Sequence, residues 1–173
     1  MSASTTVGFN SVPIGPLALS SVIVIYIIML IGASPSGTGG GLKSTTVAVH
    51  FAFLRAILSG RSEVTLGGKA VPEARVRLAI GTVFMAATIL AVSMLLLSLT
   101  ETAAFEPLLF EAISALATVG LSLGITGSLS DGGKLIICIL MFAGRVGILA
   151  FGLVMVSQIR RREILHAEED VAL

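Results

Sequence analysis

The chain has 173 residues, of which 55% are hydrophobic and 12% charged, with a formal net charge of +1 and a mean hydropathy of +1.03. So apolar a chain cannot hide its side chains in one small water-soluble core, so lipid is the expected solvent, and the near-zero charge gives no reason to expect nucleic acid. The single cysteine, Cys138, lies in an apolar run, which excludes a disulfide framework and a Cys-based metal site within the chain.

Met1–Ser20 has no basic n-region and no small-residue cleavage site, so it does not read as a secretory signal. It carries Thr5-Thr6-Val7-Gly8-Phe9-Asn10 ahead of the first apolar segment, Leu17–Ile31. As a helix that segment reaches about 22 Å, short of a hydrocarbon core of about 30 Å. It spans only if the stretch after it, GASPSGTGGGLK (Gly32 to Lys43), lies within the crossing. Thr45–Leu58 is apolar again, and Ser59–Arg77 is a polar linker holding Arg61, Lys69, Arg75 and Arg77 against Glu63 and Glu73.

Leu78–Leu99 runs 22 residues without a charge and is long enough to cross as a helix. The following Thr100–Lys134 is too long for a tight turn and too apolar for a plain loop. Within it, Pro107–Ala117 reads as a short helix with Pro107 near its first turn. It runs into Thr118-Val119-Gly120, and a half-length helix ending in a glycine-containing turn suggests a re-entrant hairpin. Leu135–Ile159 is the last span and carries one charge, Arg145; Arg160-Arg161-Arg162 opens the tail. Both basic regions fall on one side, which the positive-inside rule makes cytoplasmic, with the N-terminus outside and the C-terminus inside. The outer side holds Glu101, Glu106, Glu111 and Asp131 against Lys134 and is acidic.

A shift of 112 residues superposes Ser2-Ala3 on Ser114-Ala115 and Thr6-Val7-Gly8 on Thr118-Val119-Gly120. The same shift pairs Met29 with Met141, Gly32 with Gly144 and Ala33 with Arg145. Apolar matches come cheaply in such a composition; two Thr-Val-Gly turns, each before a span of the same length, do not. A Thr-Val-Gly turn at the foot of a half-helix suits a cation filter, in which successive carbonyls replace an ion's hydration shell. Gly8 and Gly120 permit the φ that turns carbonyls inward, and the hydroxyls of Thr6 and Thr118 add oxygen ligands. Neutral oxygens of this kind match a monovalent cation.

The glycine stretch fails as a phosphate loop. G-x-x-x-x-G-K-[ST] counted from Gly37 meets Leu42 where the second glycine belongs, and the dinucleotide fingerprint Gly37-x-Gly39 also meets Leu42 at its third. A glycine-rich cytoplasmic linker is the plain alternative. Irregular backbone at membrane depth belongs beside a water-filled path, where Pro35 breaks the helix and the glycines leave little bulk. An arginine at the depth of Arg145 is costly unless it faces protein or water, and carbonyls freed by the glycine stretch suit its five donors; snorkelling to an interface is the competing account. Lys43 suits either a cytoplasmic vestibule or snorkelling. Met29 and Met141 read as packing residues, and Glu163, Glu168, Glu169 and Asp170 as a solvated tail. His50 and His166 lack carboxylate partners for a metal site.

On TTVGFN (Thr5–Asn10), IGASPSGTGGGLKSTT (Ile31–Thr46), FEAISALATVGLSLG (Phe110–Gly124) and MFAGRVG (Met141–Gly147), the chain resembles the C-terminal part of the membrane subunit of the Trk/Ktr/HKT superfamily of potassium transporters, closer to the Ktr branch. The resemblance implies an all-α membrane protein built from helix–pore-loop–helix repeats of the potassium-channel type. One complete repeat and the rear half of the preceding one are expected here. Residues 1–58 would hold the third filter strand and its broken second helix with a gate loop at 32–43, 59–77 a cytoplasmic linker, 78–159 the fourth repeat and 160–173 a cytoplasmic tail.

The filter residues implied are Thr6, Val7, Gly8 and Phe9 with Thr118, Val119, Gly120 and Leu121. The gate implied is Ser34, Pro35, Ser36, Gly37, Thr38, Gly39, Gly40 and Gly41, to which the reading of the residues themselves adds Lys43 and Arg145. Where a potassium channel continues Gly-Tyr-Gly, this chain has Phe9-Asn10 and Leu121-Ser122 after the glycine, which implies looser selectivity. The resemblance also implies transported K+, with Na+ coupling open, and no enzymatic activity or cofactor. Its implied partners are upstream repeats of the same subunit, a second subunit in a homodimer and a cytoplasmic ring of nucleotide-binding subunits, in the inner membrane. A secondary cation symporter with a broken-helix site and a non-conducting truncated remnant are the other functional classes.

Overall fold

The computed structural model describes residues 2–9, 14–15, 17–32, 39–60 and 63–148. In chain order the elements are α1 (Ser2–Thr5), α2 (Leu19–Leu30), α3 (Ser44–Leu58), strands β1 (Thr65–Leu66) and β2 (Lys69–Ala70), α4 (Glu73–Thr100), α5 (Phe105–Leu116), a 3-10 turn at Thr126–Ser128, and α6 (Asp131–Val146). The described chain is therefore mostly helical. The β1–β2 hairpin departs from the all-helical expectation, and it forms because Gly67 and Gly68 both take positive φ, 58° and 78°. That backbone is the two-residue turn whose twist matches paired strands. The hairpin pairs Thr65 with Ala70 and Leu66 with Lys69 inside the segment read as a plain linker.

α4 starts five residues before the uncharged run, at Glu73, because Pro72 occupies its N-cap in an extended conformation (φ −57°, ψ 137°). Arg75 and Arg77 therefore lie on the helix. Glu73 sits where the helix dipole favours an anion, and its exposed pairing with Arg77 at 3.9 Å adds little. With 28 residues, α4 is about 42 Å long, and among the described residues it is the one helix long and apolar enough to cross a membrane. Its hydroxyls are satisfied within the helix: Thr82 donates to the Leu78 carbonyl at 2.7 Å, Thr88 to Phe84 at 2.9 Å and Ser98 to Leu95 at 2.8 Å. Such back-bonding lets polar residues sit on an apolar helix without an orphaned donor.

α2 has 12 residues, or about 18 Å, so it remains too short to cross alone. α6 begins at Asp131, capped by Ser130, whose hydroxyl accepts from the Gly133 N–H at 3.1 Å. The part of the last span beyond Ile148 and the tail at 160–173, with the three arginines and His166, lie outside the described residues.

The short helix α5 sits at the centre, starting two residues before the expected Pro107 and packing against α2, α4 and α6. One side of it (Leu108, Ala112, Ala115, Leu116) meets Met94 and Leu97 of α4 and Ile137 and Leu140 of α6. The other side (Phe110, Ile113, Ala117) joins Val22 and Met29 of α2. Small residues on α5 and at Ala143 and Gly144 of α6 bring backbones close, which is how helices gain packing energy where lipid offers no hydrophobic drive. Tyr26 of α2 adds a polar tie, donating to the Glu106 carbonyl at 3.0 Å while its ring tilts against Phe110 at 5.5 Å. Met29 is fully buried as a packing residue, but Met141 faces outward from α6, so the symmetry of the two positions stops at the sequence.

Candidate functional site

Each Thr-Val-Gly turn ends a helix in the same way. Val7 N–H donates to the Ser2 carbonyl at 3.3 Å, and Val119 N–H to the Ser114 carbonyl at 2.9 Å. These are the six-to-one bonds of a Schellman ending, which place the residue before the donor in the left-handed region. Those residues are Thr6 and Thr118, both at φ 52° and the only non-glycine residues with positive φ among those described. A β-branched residue there is a genuine outlier, of the kind that persists only where the surroundings hold it. Gly8 and Gly120 follow at φ 71° and 85°.

The two turns abut. A Cβ placed on Gly8 would fall 2.6 Å from the Val119 carbonyl oxygen, and one on Gly120 would fall 3.6 Å from the Gly8 Cα. Their surroundings differ: Val119 and Leu121 are 2% and 5% exposed, whereas Val7 and Phe9 are 67% and 77% exposed. The second turn is thus enclosed and the first lies open on this chain.

The ends of the glycine stretch meet each other and the second turn. Leu42 N–H donates to the Leu30 carbonyl at 3.3 Å, and Ile31 and Leu42 form a single parallel bridge. Gly40 N–H donates to the Thr118 hydroxyl at 2.8 Å. A Cβ on Gly40 would meet the Thr118 side chain at 2.8 Å and the Gly144 carbonyl oxygen at 3.1 Å, so only glycine fits between α6 and the turn. Lys43, expected in a vestibule or at an interface, folds back and donates to the Gly39 carbonyl at 2.7 Å. Ser34, Pro35, Ser36, Gly37 and Thr38 lie outside the described residues. Arg145 follows Gly144, the residue against Gly40, and its side chain is exposed on this chain.

Residues 1–162 match the TrkH family of cation transport proteins. The chain belongs to that family. It is 38% identical over 145 residues to the Ktr system potassium uptake protein B of Vibrio alginolyticus, covering 84% of this chain and 32% of that protein. It is also 38% identical over 149 residues to the Ktr system potassium uptake protein D of Bacillus subtilis, covering 86% and 33%. The crystal structure of the potassium transporter TrkH from Vibrio parahaemolyticus superposes with a TM-score of 0.74 at 25% identity, covering 89% of this chain and 34% of that one. The chain thus spans about a third of the length of these relatives, and its family is one of transporters, not enzymes.

Two features of the site escaped the sequence. Glu111, counted there among the outer acids, is only 5% exposed; it points inward and accepts from the hydroxyls of Ser122 and Thr126. Glu101, counted likewise, accepts from the Ser130 backbone N–H at 3.1 Å and from its hydroxyl, and so joins the end of α4 to the start of α6. Neither partner is near in sequence, so no local pattern announces them. Among the described residues no three His, Cys, Asp or Glu side chains gather as a metal site.

Proposed function

We propose that this chain forms part of a potassium uptake pore, with Thr6–Phe9 and Thr118–Leu121 as two filter strands and the glycine stretch as the gate beneath them. The observation that carries it is the pair of identically folded, abutting Thr-Val-Gly turns, one of which gives its threonine hydroxyl to Gly40 of the glycine stretch. A loop bonded at that hydroxyl obstructs the passage below the turn, and moving it opens the passage. Arg145, next to the Gly144 contact, belongs to the same gate, and the tie from Lys43 to Gly39 anchors its inner end.

The helix–pore-loop–helix reading makes α4, α5, the second turn and α6 one repeat, and the first turn with α2 and α3 the rear of another. A closed filter then needs two further strands from polypeptide outside these residues, and the open faces of Val7 and Phe9 suit such a neighbour. The assembly sits in the cell membrane with the linker at 59–77 and its hairpin on the cytoplasmic side. K+ is the cargo, as the names of similar potassium uptake proteins suggest, Na+ coupling is compatible with it, and a homodimer on a cytoplasmic nucleotide-binding ring is the assembly that the family resemblance implies.

The test is uptake by a bacterium stripped of its own potassium systems and expressing the native gene in its genomic context. Growth at low K+ with preference for K+ over Na+ is expected. Saturable flux whose ion preference ignores the Thr-Val-Gly turns would favour a symporter, and absence of flux a remnant.

A further inference from the structure

Glu111 is the one buried ionisable side chain among the described residues, and the pore reading gives it no task. It lies on α5 seven residues before Thr118, facing the strand that leaves the turn. Its Oε1 accepts from Ser122 Oγ and from Thr126 Oγ1, the latter at 3.0 Å. Ser122 Oγ in turn accepts the Gly124 N–H at 2.8 Å and lies 2.9 Å from Thr126 Oγ1. Both hydroxyls donate to one carboxyl oxygen, so two protons from the segment after the turn converge on a single buried acceptor of α5.

These bonds close a ring around the second turn. On the entry side the turn is fixed to α5 by the Val119 N–H bond to the Ser114 carbonyl. On the exit side it is fixed to the same helix through Ser122 and Glu111. The carbonyls of Thr118 to Leu121 lie between the two anchors. We infer that Glu111 is a positioning residue for ion discrimination: its carboxylate holds the exit of the second turn so that the carbonyls between keep the spacing that favours K+ over Na+. This rests on the filter reading. The 112-residue shift puts Asn10 and Ile14 where the second turn has Ser122 and Thr126, and the isoleucine side chain cannot donate the second of these bonds.

The test uses the native gene product in full, purified in detergent and followed by thermal unfolding in K+ and in Na+, alongside ion uptake in cells. Glu111→Ala is expected to cut K+-over-Na+ preference about tenfold, the scale of leaving a buried donor without its acceptor, and to shrink the difference between the two unfolding temperatures. Glu111→Gln keeps an acceptor oxygen and is expected to restore most of both. Ser122→Ala, which leaves α5 unaltered, is expected to reproduce the Ala phenotype in weaker form and serves if Glu111→Ala does not fold.

Equal loss of stability in K+ and Na+ with unchanged ion preference, for Glu111→Ala or for Ser122→Ala, overturns the inference and leaves a structural tie. A wild-type protein that does not distinguish K+ from Na+ in either assay overturns the filter reading itself, and the inference with it.

Discussion

Gly40 and Thr118, 78 positions apart, share a hydrogen bond in which the glycine N–H donates to the threonine hydroxyl at 2.8 Å. A methyl group on Gly40 would overlap Thr118 and crowd the Gly144 carbonyl, so Gly40→Ala pushes the glycine stretch off the turn. Potassium uptake by this variant should rise severalfold in maximal rate with an unchanged K+/Na+ ratio. A slower variant with altered ion preference would count against the stretch as a barrier.

Thr118 holds a β-branched side chain in the left-handed region, a placement that costs about 1–2 kcal/mol. Thr118→Ser keeps the acceptor for Gly40 and relieves the branching, so its stability in detergent should equal or exceed that of the parent. Thr118→Val keeps the strain and leaves the Gly40 N–H unpaired, for a loss of about 1–3 kcal/mol. Chemical unfolding of the two variants side by side checks the order, and Val at least as stable as Ser would show that the hydroxyl contact matters little.

Gly8 and Gly120 both have positive φ, but only at Gly8 would a side chain strike the opposite turn's backbone. Gly8→Ser should therefore damage ion discrimination more than Gly120→Ser, each by about tenfold or more if a misplaced carbonyl costs on the order of 1.4 kcal/mol in selectivity. Competitive uptake of K+ against Na+ measures this. Unchanged discrimination in both variants would remove the filter from the account.

Gly133 lies so close to Glu101 that a Cβ would overlap its carboxylate. Gly133→Ala must displace Glu101 from the Ser130 N–H and hydroxyl, loosening the corner between α4 and α6. The lost bonds cost about 0.5–1.5 kcal/mol, offset in part by the better helix propensity of alanine, so a small fall in unfolding temperature is expected, with ion preference left as it was.

α4 was legible in the sequence because 22 residues without a charge leave few other structures; its start moved five residues, to the one after Pro72, and its end by one, to Thr100. The paired turns were legible because two identical tripeptides at a fixed shift are a local pattern, and glycine announces positive φ; nothing announces that Thr6 and Thr118 share it. The hairpin had its signal in Gly67-Gly68, a two-glycine turn between Thr65-Leu66 and Lys69-Ala70. Glu111 was out of reach: on a helix buried nearly all round, no periodicity tells which way a carboxylate faces, and its partners lie 11 and 15 residues on. The contact from Gly40 to Thr118 joins two segments that no local pattern relates. Residue type suggested what each could do, and the meeting itself is tertiary.

α5 has 12 residues, about 18 Å of helix, and from Leu108 onward almost every side is covered by protein. That bears on how the chain enters a bilayer during synthesis. A helix so short cannot wait in hydrocarbon, because its unpaired terminal N–H and carbonyl groups would meet no partner there. On the pore-loop reading it stays in water on the far side until α6 emerges, then enters between α4 and α6 as they close. A ribosome stalled before α6 should leave α5 outside, open to a protease or a membrane-impermeant label that the finished protein resists.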